Sequence, residues 1–215
     1  MNSLLITRPN HDLPTKYLYA WAGEVLKTAK KSKLKYTDLK GKKANLKNFT
    51  KALKQKPGFI FLNGHGSRTE ITGYDNSPML ETGKNEELAK GTLVYAVSCQ
   101  AGAKLGPAMV KAGAKAFIGY KEDFFLCYTA KQVKKPLKDN TAKLFLEPSN
   151  LVPTALIQQK TAKSAYESSQ QAMQENISFM LSSKATKTQR DAAPYLYSNL
   201  NCQTLLVDKK TKINP

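Results

Sequence analysis

Gly58–Ser67 reads GFIFLNGHGS and Thr92–Gly102 reads TLVYAVSCQAG, and these two stretches decide the fold. Each begins as an apolar run of strand length and then breaks into small, polar and glycine residues. Such a run is the mark of a strand covered on both faces, as in a parallel sheet. In an open parallel sheet, ligands gather beyond the carboxyl ends of the strands. His65 follows the first run and Cys99 the second, so both fall on that edge. If the two strands are neighbours, a thiol and an imidazole come within reach of one another.

Outward from this pair, the first half alternates short apolar runs with amphipathic stretches, the pattern of βαβ units. Ser3–Thr7 and Leu34–Leu39 read as strands. Thr15–Lys30 reads as a helix, with Leu18, Trp21, Val25, Leu26 and Ala29 along one face. A second helix over Ala44–Lys56 stops at Pro57-Gly58. Asn85, followed by Glu86 and Glu87, caps a short helix closed by Gly91. Pro107 and Gly113 bracket another short helix, and Ala116–Tyr120 reads as the next strand. Beyond it, Phe124–Leu146 matches no pattern, Thr154–Leu181 reads as one long helix, and Ser182–Asp191 as a polar loop. Gln203–Asp208 reads as a late strand at the sheet edge. The expectation is one α/β domain over residues 1–215, less regular from about 127, with helices on both sides of a mainly parallel sheet.

Composition narrows the function. The 215 residues are 41% hydrophobic and 23% charged, as in an ordinary globule. MNSLLITRPN holds too short an apolar run for a signal peptide, and no later run approaches a membrane span, so the expected address is the cytoplasm. Cys99, Cys127 and Cys202 cannot all pair and show no CxxC spacing, which fits a reducing compartment. With His11 and His65 as the only histidines, the chain displays no metal-ligand spacing, and no cofactor is implied. The net charge of +18 comes almost wholly from lysine, with Arg8, Arg68 and Arg190 the only arginines. Specific base recognition favours the guanidinium fork, so scattered lysine reads as solvated surface rather than as a specific nucleic-acid site.

The residues around the pair suit acyl transfer. Gly64 and Gly66 allow a sharp turn at His65 and close approach of a substrate carbonyl. The N–H groups of Gly66 and Cys99 can form an oxyanion hole. Cys99 at a strand end is near backbone donors, which favours the thiolate when His65 takes its proton. Papain-like peptidases and glutamine amidotransferases place cysteine before histidine, the reverse of the order here, and no GxSxG elbow is present.

At these residues the chain resembles the caspase-like superfamily of cysteine peptidases, which includes gingipains, caspases, separases and legumains. NGHGS at Asn63–Ser67 is similar to the histidine motif, VSCQAG at Val97–Gly102 to the cysteine motif, and GAKAFIGY at Gly113–Tyr120 to the strand that follows. The likeness covers Gly58 to Phe125. It implies a three-layer α/β/α sandwich and thiol-dependent cleavage of peptide bonds in a protein or peptide substrate. His65 would be the base, Cys99 the nucleophile, and Gly66 with Cys99 the oxyanion donors. The pentapeptide QACxG is absent, so caspase-style selection of aspartate does not carry over.

Loops from the same edge should line the substrate pocket. Asp12, Glu122 and Asp123 point to a lysine or arginine before the scissile bond, whereas Arg8 in the same region would attract an acidic residue. Asp12 as a helix cap and Glu122-Asp123 as a solvated turn account for the acidic residues equally well. Tyr74, Asp75 and Asn76 border the cleft, Asn63 serves the turn, and Lys134-Lys135 is a candidate self-cleavage site. An activating partner is left open, as are two other classes: a silent caspase-like binding module and a basic nucleic-acid-binding protein.

Overall fold

The computed structural model describes residues 3–207. Its central sheet has the order β2-β1-β3-β6-β7-β8. The strands are β1 (Leu4–Arg8), β2 (Tyr36–Lys40), β3 (Phe59–Asn63), β6 (Leu93–Val97), β7 (Ala116–Tyr120) and β8 (Gln203–Val207). All pairings are parallel except β7 with β8. A separate antiparallel hairpin, β4 (Glu70–Thr72) and β5 (Pro78–Glu81), hangs from the loop after β3. The expected late strand is β8; Asp208, assigned to it from sequence, lies outside the described residues.

Alternation along each strand splits the apolar residues between two cores. Leu4, Ile6, Phe59, Phe61, Tyr95, Val97, Ala116 and Ile118 join one cluster, which α1 (Leu13–Lys31), α4 (Asn140–Ile157), α5 (Ala162–Met180) and α6 (Lys187–Cys202) cover. Leu5, Ile60, Leu62, Val94, Ala96 and Phe117 face the other, under α2 (Leu46–Leu53), α3 (Leu105–Lys111) and the hairpin. Continuous apolar runs in β3 and β6 are the direct result of this double cover. The expected α/β architecture, helices on both faces of a mainly parallel sheet, is the one observed.

The second half departs from the sequence pattern in register rather than in kind. The helix expected over Thr154–Leu181 is two helices, α4 and α5, which break at Gln158–Thr161. Gln159 adopts a left-handed φ of 63° there, and Thr161 caps α5 through the Ser164 N–H. Pro148 and Pro153 lie within α4 and hid it from the periodicity. Part of the expected polar loop Ser182–Asp191 belongs to α6, started by a capping box between Thr186 and Gln189. The short helix expected after Asn85 is a single 3-10 turn, Glu86–Ala89, but the Asn85 side chain does not cap it: it accepts from the Glu81 N–H and donates to the Met79 carbonyl, tying off the hairpin.

Candidate active site

β3 and β6 are adjacent, with Asn63 paired to Val97. His65 and Cys99 each stand two residues beyond that rung, so the sheet delivers both to one edge. They line a cleft of about 220 Å3 together with Pro14, Leu18, Phe124, Phe125 and Leu126. No hydrogen bond joins the two side chains; the Cys99 thiol faces the Phe124 carbonyl at 3.9 Å.

The backbone around His65 is shaped by close approaches. A Cβ on Gly64, whose φ is +154°, would overlap the Thr72 carbonyl. One on Gly66 would overlap the Ser98 hydroxyl and come within 2.8 Å of the Glu70 carbonyl. Both positions therefore require glycine. Thr72 then holds the turn by donating its N–H (2.9 Å) and its hydroxyl (3.2 Å) to the His65 carbonyl. Among the described residues, the N–H groups of Gly66 and Cys99 donate to no protein acceptor. Asn63, expected to serve the turn, instead ties β3 to β1, donating its side-chain amide to the Thr7 carbonyl at 3.0 Å.

Asp12 is the helix cap that one sequence reading expected, and it has a second role that sequence reasoning missed. One carboxylate oxygen caps α1, accepting the Thr15 N–H at 2.9 Å and the Thr15 hydroxyl at 2.6 Å. The other lies 2.5 Å from Nε2 of His65. Burial raises its pKa, but the Thr15 hydrogen bonds and the His65 contact together outweigh burial and bring the carboxyl down to about 2. The signal for this pair is topological. Asp12 follows β1, and β1 pairs directly with β3, so their carboxyl ends share a corner.

The remaining residues expected to read substrate charge do not form an acidic pocket. Arg8 lies in β1, is buried, and spends its guanidinium on Asp38 (3.0 and 2.5 Å) and on the Tyr19 carbonyl (3.0 Å). It is a structural ion pair, not a substrate contact. Glu122 points to a different groove, with Pro194 and Tyr197. Asp123 accepts from the Gln100 side chain at 2.8 Å and stands beside Cys99. Burial chiefly, and this carboxylate next, hold the Cys99 thiol above its ordinary value. Asn76 does border the site, in a shallow depression with His65, Gly66, Glu70 and Thr72.

Sequence reasoning also left Phe124–Leu126 unassigned, although three apolar residues directly after a strand end must cover something. They form the wall opposite α1. Asn199 of α6 fixes that wall, accepting the Phe125 N–H at 2.8 Å and donating to its carbonyl at 2.7 Å. His65 also meets here two donors that lie far from it in sequence, the adjacent His11 and Asp12.

No family model and no curated protein matches this chain. Solved structures do. The crystal structure of the Arg-specific cysteine proteinase gingipain R (RgpB) is similar with a TM-score of 0.62 at 14% identity, over 96% of this chain and 46% of that one. The complex of the pro- and mature domains of Porphyromonas gingivalis RgpB is similar with a TM-score of 0.64 at 12% identity, over 97% and 47%. This chain spans a little under half the length of both. The fold is therefore the caspase-like α/β fold of the gingipains.

Proposed function

We propose that the protein is a cysteine endopeptidase in which Cys99 attacks a peptide carbonyl and His65 moves the proton. The observation that carries this reading is the shared cleft at the carboxyl ends of adjacent strands, lined by both Cys99 and His65; the N–H groups of Cys99 and of Gly66, the residue after His65, are unengaged among the described residues. With Nε2–H donated to Asp12, the lone pair of His65 rests on Nδ1, which takes the Cys99 proton. The thiolate attacks, the carbonyl oxygen is held by the N–H groups of Gly66 and Cys99, and His65 returns the proton to the leaving amine. Water then hydrolyses the thioester by the same base. Asp12 is a positioning residue that fixes the ring and its tautomer.

The cleft is smaller than the roughly 300–1,000 Å3 of sites that enclose whole small molecules, and suits one side chain. Its walls, Pro14, Leu18, Phe124, Phe125 and Leu126, are apolar. They support an uncharged apolar residue before the scissile bond, in place of lysine or arginine. Three free thiols support a reducing, cytoplasmic setting.

The lack of a His65–Cys99 hydrogen bond favours a second reading, a binding module that keeps the fold without turnover. A fluorogenic peptide library varied before the scissile bond separates the two when wild type is compared with Cys99→Ala. Turnover confined to wild type and strongest after Leu, Met or Phe is expected. Equal rates in both proteins, or no turnover together with no labelling of Cys99 by thiol-directed peptide probes, would overturn the peptidase.

A further inference from the structure

The two histidines of this chain are 54 positions apart (65 − 11), yet the fold sets their rings 5.9 Å apart, edge to face. Asp12 stands between them: its Oδ2 lies 2.5 Å from Nε2 of His65 and 3.7 Å from Nε2 of His11. One donor atom from each of the three residues falls within 4.8 Å of the others. We infer that His11, Asp12 and His65 form a binding site for a zinc-class divalent cation, and that the bound ion reversibly blocks the site by occupying His65.

Two imidazoles and one carboxylate, with a fourth position left to solvent, are a donor set suited to zinc. Around an ion with bonds of about 2.0–2.2 Å, tetrahedral donors sit about 3.4 Å apart, so the His11–Asp12 spacing already fits and the His65–Asp12 spacing must widen by about 1 Å. The scaffold favours this small adjustment. His11 and Asp12 lie in the β1–α1 connection and His65 in the loop after β3, and these strands are paired neighbours. His11 is held against Tyr74, its ring centroids 5.4 Å apart, with only 10% of its side chain exposed. Its Nδ1 is buried without a hydrogen-bond partner, and its Nε2 lies 3.2 Å from Asn76 Oδ1. A solvated surface histidine has no reason to be kept this way. A neutral imidazole binds zinc through its lone pair, so an occupied His65 cannot accept a proton from Cys99.

The blocking role rests on the peptidase reading; the metal site itself does not. Calorimetry with zinc chloride on Cys99→Ala, which removes both the thiolate and turnover, tests the site alone. One equivalent of zinc should bind, and the dissociation constant should rise by about tenfold or more when His11→Ala or the bulkier His11→Gln is added. An anomalous peak at the zinc edge, within bonding distance of all three side chains in Cys99→Ala crystals, gives the same answer without depending on the His11 variants folding. Absence of binding by Cys99→Ala, equal affinity in the folded His11 variants, or a peak elsewhere would overturn the site. In the wild-type enzyme, zinc should inhibit turnover, and the inhibition constant of His11→Gln, taken relative to its own metal-free rate, should rise in parallel. Zinc binding without inhibition of an active enzyme would keep the site and remove the blocking role.

Discussion

A single carboxylate, that of Asp12, starts α1 with one oxygen and holds the imidazole of His65 with the other. Substitution can part the two tasks. Asparagine caps helices about as well as aspartate, so Asp12→Asn should leave stability within about 1 kcal/mol. Without the charge behind the ring, kcat/KM should fall by about 10²-fold. Asp12→Ala should show the same kinetic loss and a further destabilisation of about 0.5–2 kcal/mol. Steady-state kinetics beside urea denaturation checks both, and equal stability of the two variants would contradict the cap.

The same group predicts an acid limb. Its carboxyl titrates at about 2 when folded, below the ordinary range near 4. Its contribution is therefore complete above about pH 4 and is lost as pH falls toward 2. Urea midpoints measured across that window should drop more steeply for wild type than for Asp12→Asn.

Cys99 rests as a thiol because burial, and then Asp123, disfavour its charge. Removing that charge with Asp123→Asn should shift the pH midpoint of Cys99 alkylation downward. Mass spectrometry of the iodoacetamide-labelled Cys99 peptide reads this directly. A midpoint that is unchanged or raised would show that the Asp123 carboxylate does not act on the thiol.

Gly66→Ala should cost about 1–3 kcal/mol, because the new methyl meets Ser98 and the Glu70 carbonyl. The Ser98 hydroxyl is itself buried without a partner. Ser98→Ala should therefore be tolerated, and in the double variant should recover part of the loss. A coupling of about 0.5 kcal/mol or more in a double-mutant cycle is expected, and strict additivity would contradict the contact.

Asn199 is fully buried and clamps Phe125 from α6. Asn199→Leu strips the Phe125 N–H and carbonyl of their partners, at about 1–3 kcal/mol each. Because Phe125 walls the cleft, KM for an apolar-P1 peptide should rise more than kcat falls. Equal changes in both would place the clamp in stability alone.

Much of this was legible in the chain. Gly58–Asn63 and Thr92–Ser98 read as buried strands because both faces are covered, and His65 and Cys99 follow from the strand ends. What stayed hidden depends on lateral neighbours. Nothing in the residues around Asp12 says that β1 pairs with β3, so its contact with His65 could not be read locally. Arg8 looked like a loop residue until β1 extended to include it and Asp38 of β2 came alongside. Asn199 lies in an amphipathic helix whose polar residues look alike until one of them meets an unpaired loop.

Lys134 and Lys135 are both exposed, in the irregular stretch between β7 and α4. Beyond them, Asp139 accepts from the Tyr17 hydroxyl and the Thr129 N–H, and β8 closes the sheet against β7. A nick between the two lysines would therefore not liberate a fragment. It would leave a two-chain particle, with His65 and Cys99 on the first piece and the Asn199 clamp on the second. The proposed activity would end in such a particle when its halves come apart, not when the backbone is cut, and would then depend on protein concentration.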